Sequence, residues 1–242
     1  MSAYLTHTVK SLVALSMLLL FNAACSLTPS KVAMSLPPAD LSAPDLSTAV
    51  AQVNGKEITR AELNRAKKII LANKPGLQVP PLLQKEFEMQ ALNQLISSEL
   101  LFQASRTLEI KDLDKQAEDQ LARIKKSFPE GKDYARELQK IGVDEEGLLE
   151  STRREVAIVY YVNSKIAPHI SVSEEEIKKF YEQNPDKFRH IILLTDQKKT
   201  ETLPLSAARE KIENYLRVQK TNGAIEAFVA EARKNAKINV LL

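Results

Sequence analysis

The residues with which this chain could do chemistry are few and scattered. Its histidines are His7, His169 and His190, and its one cysteine is Cys25. Three histidines without ligand spacing and a lone thiol exclude a multi-cysteine metal site and an intramolecular disulfide. Paired carboxylates, the material of general acid–base catalysis, occur at Glu145–Glu146 and Glu174–Glu176. Both runs follow a capping-type residue, and the helix macrodipole favours acids in a first turn. Ser151-Thr152 and His169 have no triad partners in any known order. No Walker, dinucleotide-binding, zinc or EF-hand pattern appears. No catalytic residue, metal or cofactor is expected.

Composition narrows the classes further. Of 242 residues 44% are apolar and 27% charged, ordinary values for globular protein. Six glycines are too few for Gly-rich folds, and aromatics at 5% leave little for base stacking. The 34 basic and 31 acidic residues are interleaved along the chain. A nucleic-acid binder gathers its basic residues on one face, so no nucleic-acid partner is expected.

Cys25 stands in a special place. Lys10 precedes the apolar run Ser11–Phe21, and Asn22-Ala23-Ala24 leads into the cysteine. An apolar core of about a dozen residues is short for a membrane span and has the form of an export signal. The segment resembles a bacterial lipobox, which implies diacylation of Cys25 after removal of residues 1–24. Asn22 departs from that pattern, in which Leu is commonest. The alternative is an ordinary secretory signal with an incidental cysteine. Ser26 after the cysteine is compatible with an outer-membrane address. Ser26–Ser47 holds four Pro and five Ser with no Gly or aromatic, the composition of a semi-extended tether. Residues 25–48 are therefore assigned to a lipidated tether, and 49–242 to the folded part.

The folded part reads as mainly α. Ala49–Val53 alternates, Asn54-Gly55 supplies a hairpin turn, and Lys56–Thr59 returns. Thr59 with Glu62 forms a capping box, opening a helix to about Asn73. A longer helix spans Leu82 to about Leu108, with a stripe at Leu83, Phe87, Leu92, Leu95, Ile96, Leu100 and Leu101. Asp112 and Asp133 are placed to cap the next two helices, and Gly142 to end the second. From Asp144 a helix runs to about Ile166, its stripe read as Leu149, Val156, Val159 and Asn163. Ser173 and Glu176 form a second capping box, with Glu174–Lys178 and Glu175–Lys179 as supporting pairs.

On these residues the chain resembles the periplasmic chaperone SurA and its relatives PrsA and PpiD. Val50-Ala51-Gln52-Val53-Asn54-Gly55-Lys56-Glu57-Ile58-Thr59 is similar to the family's opening. The likeness continues through Leu92–Ala104, through Phe128, Leu138 and Gly142 to Glu146, and through Ile170–Ile177 to Phe180-Tyr181 and Asp186-Lys187-Phe188. It implies a helical module that holds unfolded exported polypeptides at the cell envelope. Many relatives add parvulin-type prolyl isomerase domains, and Arg189–Leu194 resembles the first parvulin strand. Only 242 − 190 = 52 residues follow His190, about half of a parvulin domain. The isomerase is expected to be absent, and His190 to be a strand residue at its former boundary.

Beyond it, two helices are expected, from Leu203 and over about Asn222–Asn235, then a strand at Ile238–Leu242. Segment 203–242 would fold back on the N-terminal module. A mixed sheet would join Ala49–Ile58, His190–Leu194 and Ile238–Leu242. Unfolded chains offer apolar side chains and backbone, so Phe87, Met89, Phe102, Phe128, Tyr134 and Tyr160 are the candidate groove residues. Three functions remain open: a nucleotide-independent holdase for exported or outer-membrane clients, an isomerase-family protein, and a scaffold or assembly lipoprotein for an envelope secretion or exopolysaccharide system. Oligomeric state is not legible.

Overall fold

The computed structural model describes residues 45–74, 76, 78–128, 131–194 and 197–242, with backbone alone for 131–132, 189–194 and 197–201. Cys25, the leader 1–24 and the tether up to residue 44 lie outside the described residues. Among the described residues, seven α-helices, a three-stranded antiparallel sheet and a two-stranded one make the fold mainly α. The chain divides into two compact units. One runs through Tyr161 and takes up Val229–Leu242; the other is Val162–Phe228.

The first unit opens on β1 (Ala49–Val53) and β2 (Lys56–Thr59). Asn54 and Gly55 join them with φ of 51° and 85°, the positive pair that a two-residue primed turn demands. Thr59 then caps α1 (Arg60–Ala72). Its hydroxyl accepts from the Glu62 amide at 3.3 Å, and the Glu62 carboxylate accepts from the Thr59 amide at 2.6 Å. A 3₁₀ turn at Pro81–Leu83 leads into α2 (Gln84–Ser105).

Helix α2 is the hub of this unit. It buries Ala91, Leu92, Ile96, Ser97, Glu99, Leu100, Leu101 and Ser105, which point around most of its circumference. A helix apolar all round is a buried helix, and α2 packs against α1, β1 and α5 (Glu145–Tyr161). Leu63, Leu92 and Leu101 are fully buried here, each worth about 1.5–3 kcal/mol relative to exposure. Between α2 and α5 in sequence lie α3 (Leu113–Lys126), packed on α5, and α4 (Gly131–Ile141). Gly142 ends α4 with φ of 70°, donating to Gln139, while Val143 donates to Leu138. That is the Schellman pattern.

The third strand of the sheet is β5 (Ile238–Val240), which pairs antiparallel with β1 and places Val53 opposite Ile238. It follows the last turns of α7 (Leu205–Asn235). There Arg233 donates to the Asn93 carbonyl at 3.0 Å and to Ser97 Oγ at 3.3 Å. Burial pushes the Arg233 guanidinium below its ordinary pKa.

The second unit holds a π-turn at Val162–Ile166, α6 (Glu174–Gln183), the hairpin β3–β4 (Arg189–Leu194, Gln197–Thr202) and most of α7. Its core is Ile177, Phe188, Ala208 and Ile212. Ser173 and Glu176 make the expected capping box.

Several expectations are corrected. The sheet is antiparallel, not mixed, and Arg189–Leu194 is not part of it but pairs with Gln197–Thr202. The C-terminal pair of helices is one 31-residue helix, because Asn222-Gly223 passes through α7 with open space around the glycine. Asp112 sits at the start of α3 with φ of 54°, and its side chain makes no capping hydrogen bond. Helix α4 begins two residues before Asp133. The α-helix from Glu145 stops at Tyr161, and the π-turn carries the chain on to Ile166. Its buried face is Leu148, Thr152, Ala157 and Ile158, so Val159 points outward. Glu174 pairs with Arg209 of α7, and Lys178 stands 3.9 Å from Glu182.

Candidate functional site

The most organised polar cluster of the first unit lies beside the β1–β2 turn. It begins with Glu99, a carboxylate on the buried hub helix with 5% of its surface exposed. Isolated, such a charge is too costly to bury. Here one Glu99 oxygen accepts from Gln103 Nε2 at 2.7 Å, and the other is paired with the Arg154 guanidinium of α5. The same Gln103 nitrogen donates to the Val53 carbonyl at 3.1 Å, and its Oε1 accepts from Asn54 Nδ2 at 2.8 Å. Asn54 in turn exchanges bonds with Lys237: its amide donates to the Lys237 carbonyl at 2.8 Å, and its Oδ1 accepts from the Lys237 amide at 2.9 Å. One chain of bonds thus ties together α5, α2, the hairpin turn and the approach to β5.

An open, mostly polar depression sits over this network. Phe102 lines it with Arg154, whose guanidinium carbon lies 4.0 Å from the ring centre. Lys56 and Arg106 stand at its rim.

Of the six candidate groove residues, Phe102 is in this depression, half-buried. Phe87 and Met89 are half-buried near the start of α2. Two residues apart on a helix, they point about 200° from one another and cannot line one wall. Phe128 and Tyr134 are brought together edge to face at 5.6 Å, with Lys125 Nζ 5.7 Å from the Tyr134 ring centre. Burial, and then the charge of Glu145, push the Tyr134 hydroxyl above its ordinary pKa. Tyr160 is 40% exposed near the end of α5, next to Val159 at 44%.

Sequence reasoning missed three features. Val159 was placed on the wrong side of its helix. Glu99–Arg154 left one signal, a lone acid inside the apolar run from Leu95 to Leu101. In the second unit Tyr215 and Val218, 45% and 55% exposed, lie three residues apart on α7 and so share a face. Tyr215 packs on Phe180 at 5.1 Å, with Lys187 over both rings.

Of the residues that invited catalytic readings, Ser151 and Thr152 are engaged within their own helix. They donate to the carbonyls of Gly147 and Leu148, each at 2.8 Å. His169 is exposed at the end of a 3₁₀ turn. The side chain of His190 lies outside the described residues. Among the described residues no group of three or more His, Cys, Asp or Glu is arranged to hold a metal. No helix among them is long and apolar enough to cross a membrane.

A hairpin closed by a C-terminal strand, around a hub helix and its flanking helices, defines a mainly helical module with no assembled reaction centre among its described residues. The chain belongs to the family of the SurA-like N-terminal domain, whose model matches residues 9–161. That match spans the hairpin and helices α1 to α5. The family is chaperone-related and envelope-associated, and its members bind unfolded polypeptides. No curated protein matches the chain.

Proposed function

We propose that this protein is a nucleotide-independent holdase, tethered at the cell envelope through a lipid on Cys25, that shields unfolded exported polypeptides. The observation that carries the reading is the SurA-like module itself, matched over residues 9–161. Exposed or half-exposed apolar side chains support it: Tyr160 and Val159 on α5, and the pair of Phe128 with Tyr134 of α4. Contiguous exposed apolar surface marks interaction sites, and Val159 and Tyr160 are neighbours on one helix.

Without energy from a nucleotide, release depends on weak and rapidly exchanging contacts. Micromolar affinity, roughly −8 kcal/mol, is the matching regime. Phe87, Met89, Phe102, Phe128, Tyr134 and Tyr160 remain the proposed client contacts, now as separate points of contact rather than one wall. The lipid at Cys25, with Ser26 after it, would hold the module at the outer membrane on its periplasmic side. Delay of aggregation of an unfolded outer-membrane protein, without nucleotide, tests the reading.

A further inference from the structure

The depression beside the hairpin turn has an unequal inventory of charge. Lys56, Arg106 and Arg154 line it against a single carboxylate, Glu99. Both Glu99 oxygens are already occupied, one by Gln103 and the other by Arg154. Arg106 occupies the C-cap of α2, so part of its charge answers the half negative charge of that helix end. With that half charge subtracted as well, the walls keep about 1.5 positive charges. Neither Lys56 nor Arg106 forms an ion pair among the described residues.

The site is also rigid where it matters. Arg154 is held in plane by Glu99 on its edge and by Phe102 under its face. A guanidinium fixed in this way presents its remaining donors with little ordering cost. The depression is open to solvent rather than enclosed, so an extended chain has room to lie across it. We infer that it receives a side-chain carboxylate, Asp or Glu, of an extended polypeptide crossing the turn, held by Lys56 and Arg106 over the Arg154–Phe102 floor. This deepens, and rests on, the polypeptide-binding reading above: it makes acidic residues beside apolar ones a preferred feature of clients.

The test compares two blocked, aromatic-rich peptides that differ in one residue, Glu or Gln next to Phe, binding to the protein at low ionic strength, where such attraction is least screened. The expected result is about fivefold tighter binding of the Glu peptide, the scale of one or two partly exposed charge contacts. The double variant Lys56→Gln/Arg106→Gln should bind the two peptides equally, with its helicity and melting temperature checked alongside. Both replaced side chains are exposed. Equal binding of the two peptides by the unaltered protein overturns the inference while leaving the holdase reading standing. A Glu preference that survives in the folded double variant also overturns it. Binding of neither peptide defeats both. If the Gln peptide with a free C-terminal carboxylate binds as tightly as the blocked Glu peptide, the occupant is a chain terminus and the side-chain assignment falls.

Discussion

Glu99 and Arg154 lie 55 positions apart in sequence and form the one ion pair in which a carboxylate is almost wholly buried among the described residues. The pair joins the hub helix to α5. Burying two charges gains little net stability, but removing one partner strands the other. Arg154→Ala should therefore destabilise the protein by about 3 kcal/mol, read as a shift of the urea midpoint. Replacing both residues with apolar side chains of similar size should recover most of that loss. A loss under about 1 kcal/mol for the single variant would mean that water reaches Glu99.

The turn residue Asn54 has two tasks, a left-handed backbone and a side chain bonded to Gln103 and Lys237. Asn54→Gly keeps the backbone freedom and removes the bonds, so it should cost about 1–2 kcal/mol. Asn54→Ala should cost more, since it adds the strain of a positive φ. Equal melting temperatures for the two variants would contradict this division.

Removing β5 by truncation after Asn235 takes away the bonds from Asn54 to Lys237 and from Leu241 to Val50. It leaves β1, with Val50, Ala51 and Val53 fully buried, without a neighbour on one side. Val240 is itself 48% exposed, so the loss comes mainly from the ladder and amounts to about 2–3 kcal/mol. An unchanged melting temperature would show the strand to be dispensable.

Glu176 carries a pH signature in the second unit. Its hydrogen bond with Lys220, and then the Ser173 amide, hold its carboxyl below the ordinary value of 4.5. A folded-state pKa below the unfolded one gives stability that is present above the unfolded value and lost as pH falls through the folded one. Glu176→Gln should thus lower the melting temperature at neutral pH, by a margin that shrinks as pH falls below 4.5. A constant difference across that window would exclude the carboxylate as its source.

Much of this fold is legible in the sequence where a local rule meets no competitor. The Asn54-Gly55 turn, both Thr/Ser–Glu capping boxes and the Gly142 stop follow from backbone requirements that few other residues meet. Tertiary context decided the rest. Asn222-Gly223 reads as a break, but one glycine in a helix costs only about 1 kcal/mol, and Ile225 and Val229 beyond it are buried. The face of α5 was misread by one position because Val156–Val162 is apolar all round, which hides the period. His190–Leu194 was assigned to the wrong sheet, since strand propensity does not choose a partner. As for the candidate site, Phe102 could be found by type, but Arg154 and Lys56 could not, because their meeting depends on packing between distant segments.

The lipid anchor is tested through Cys25→Ser. That variant should accumulate unprocessed or appear in the soluble fraction, whereas the unaltered protein should pellet with membranes, as several acyl chains anchor firmly. Normal membrane fractionation of the variant would contradict lipidation.

The holdase reading is tested most directly by light scattering of an unfolded outer-membrane protein diluted from denaturant, with and without the purified protein, in the absence of nucleotide. The account predicts a delay that grows with protein concentration through the micromolar range and that is reduced by Phe102→Ser or Tyr160→Ser at unchanged helicity. Aggregation that proceeds at the same rate with and without the intact protein would contradict it.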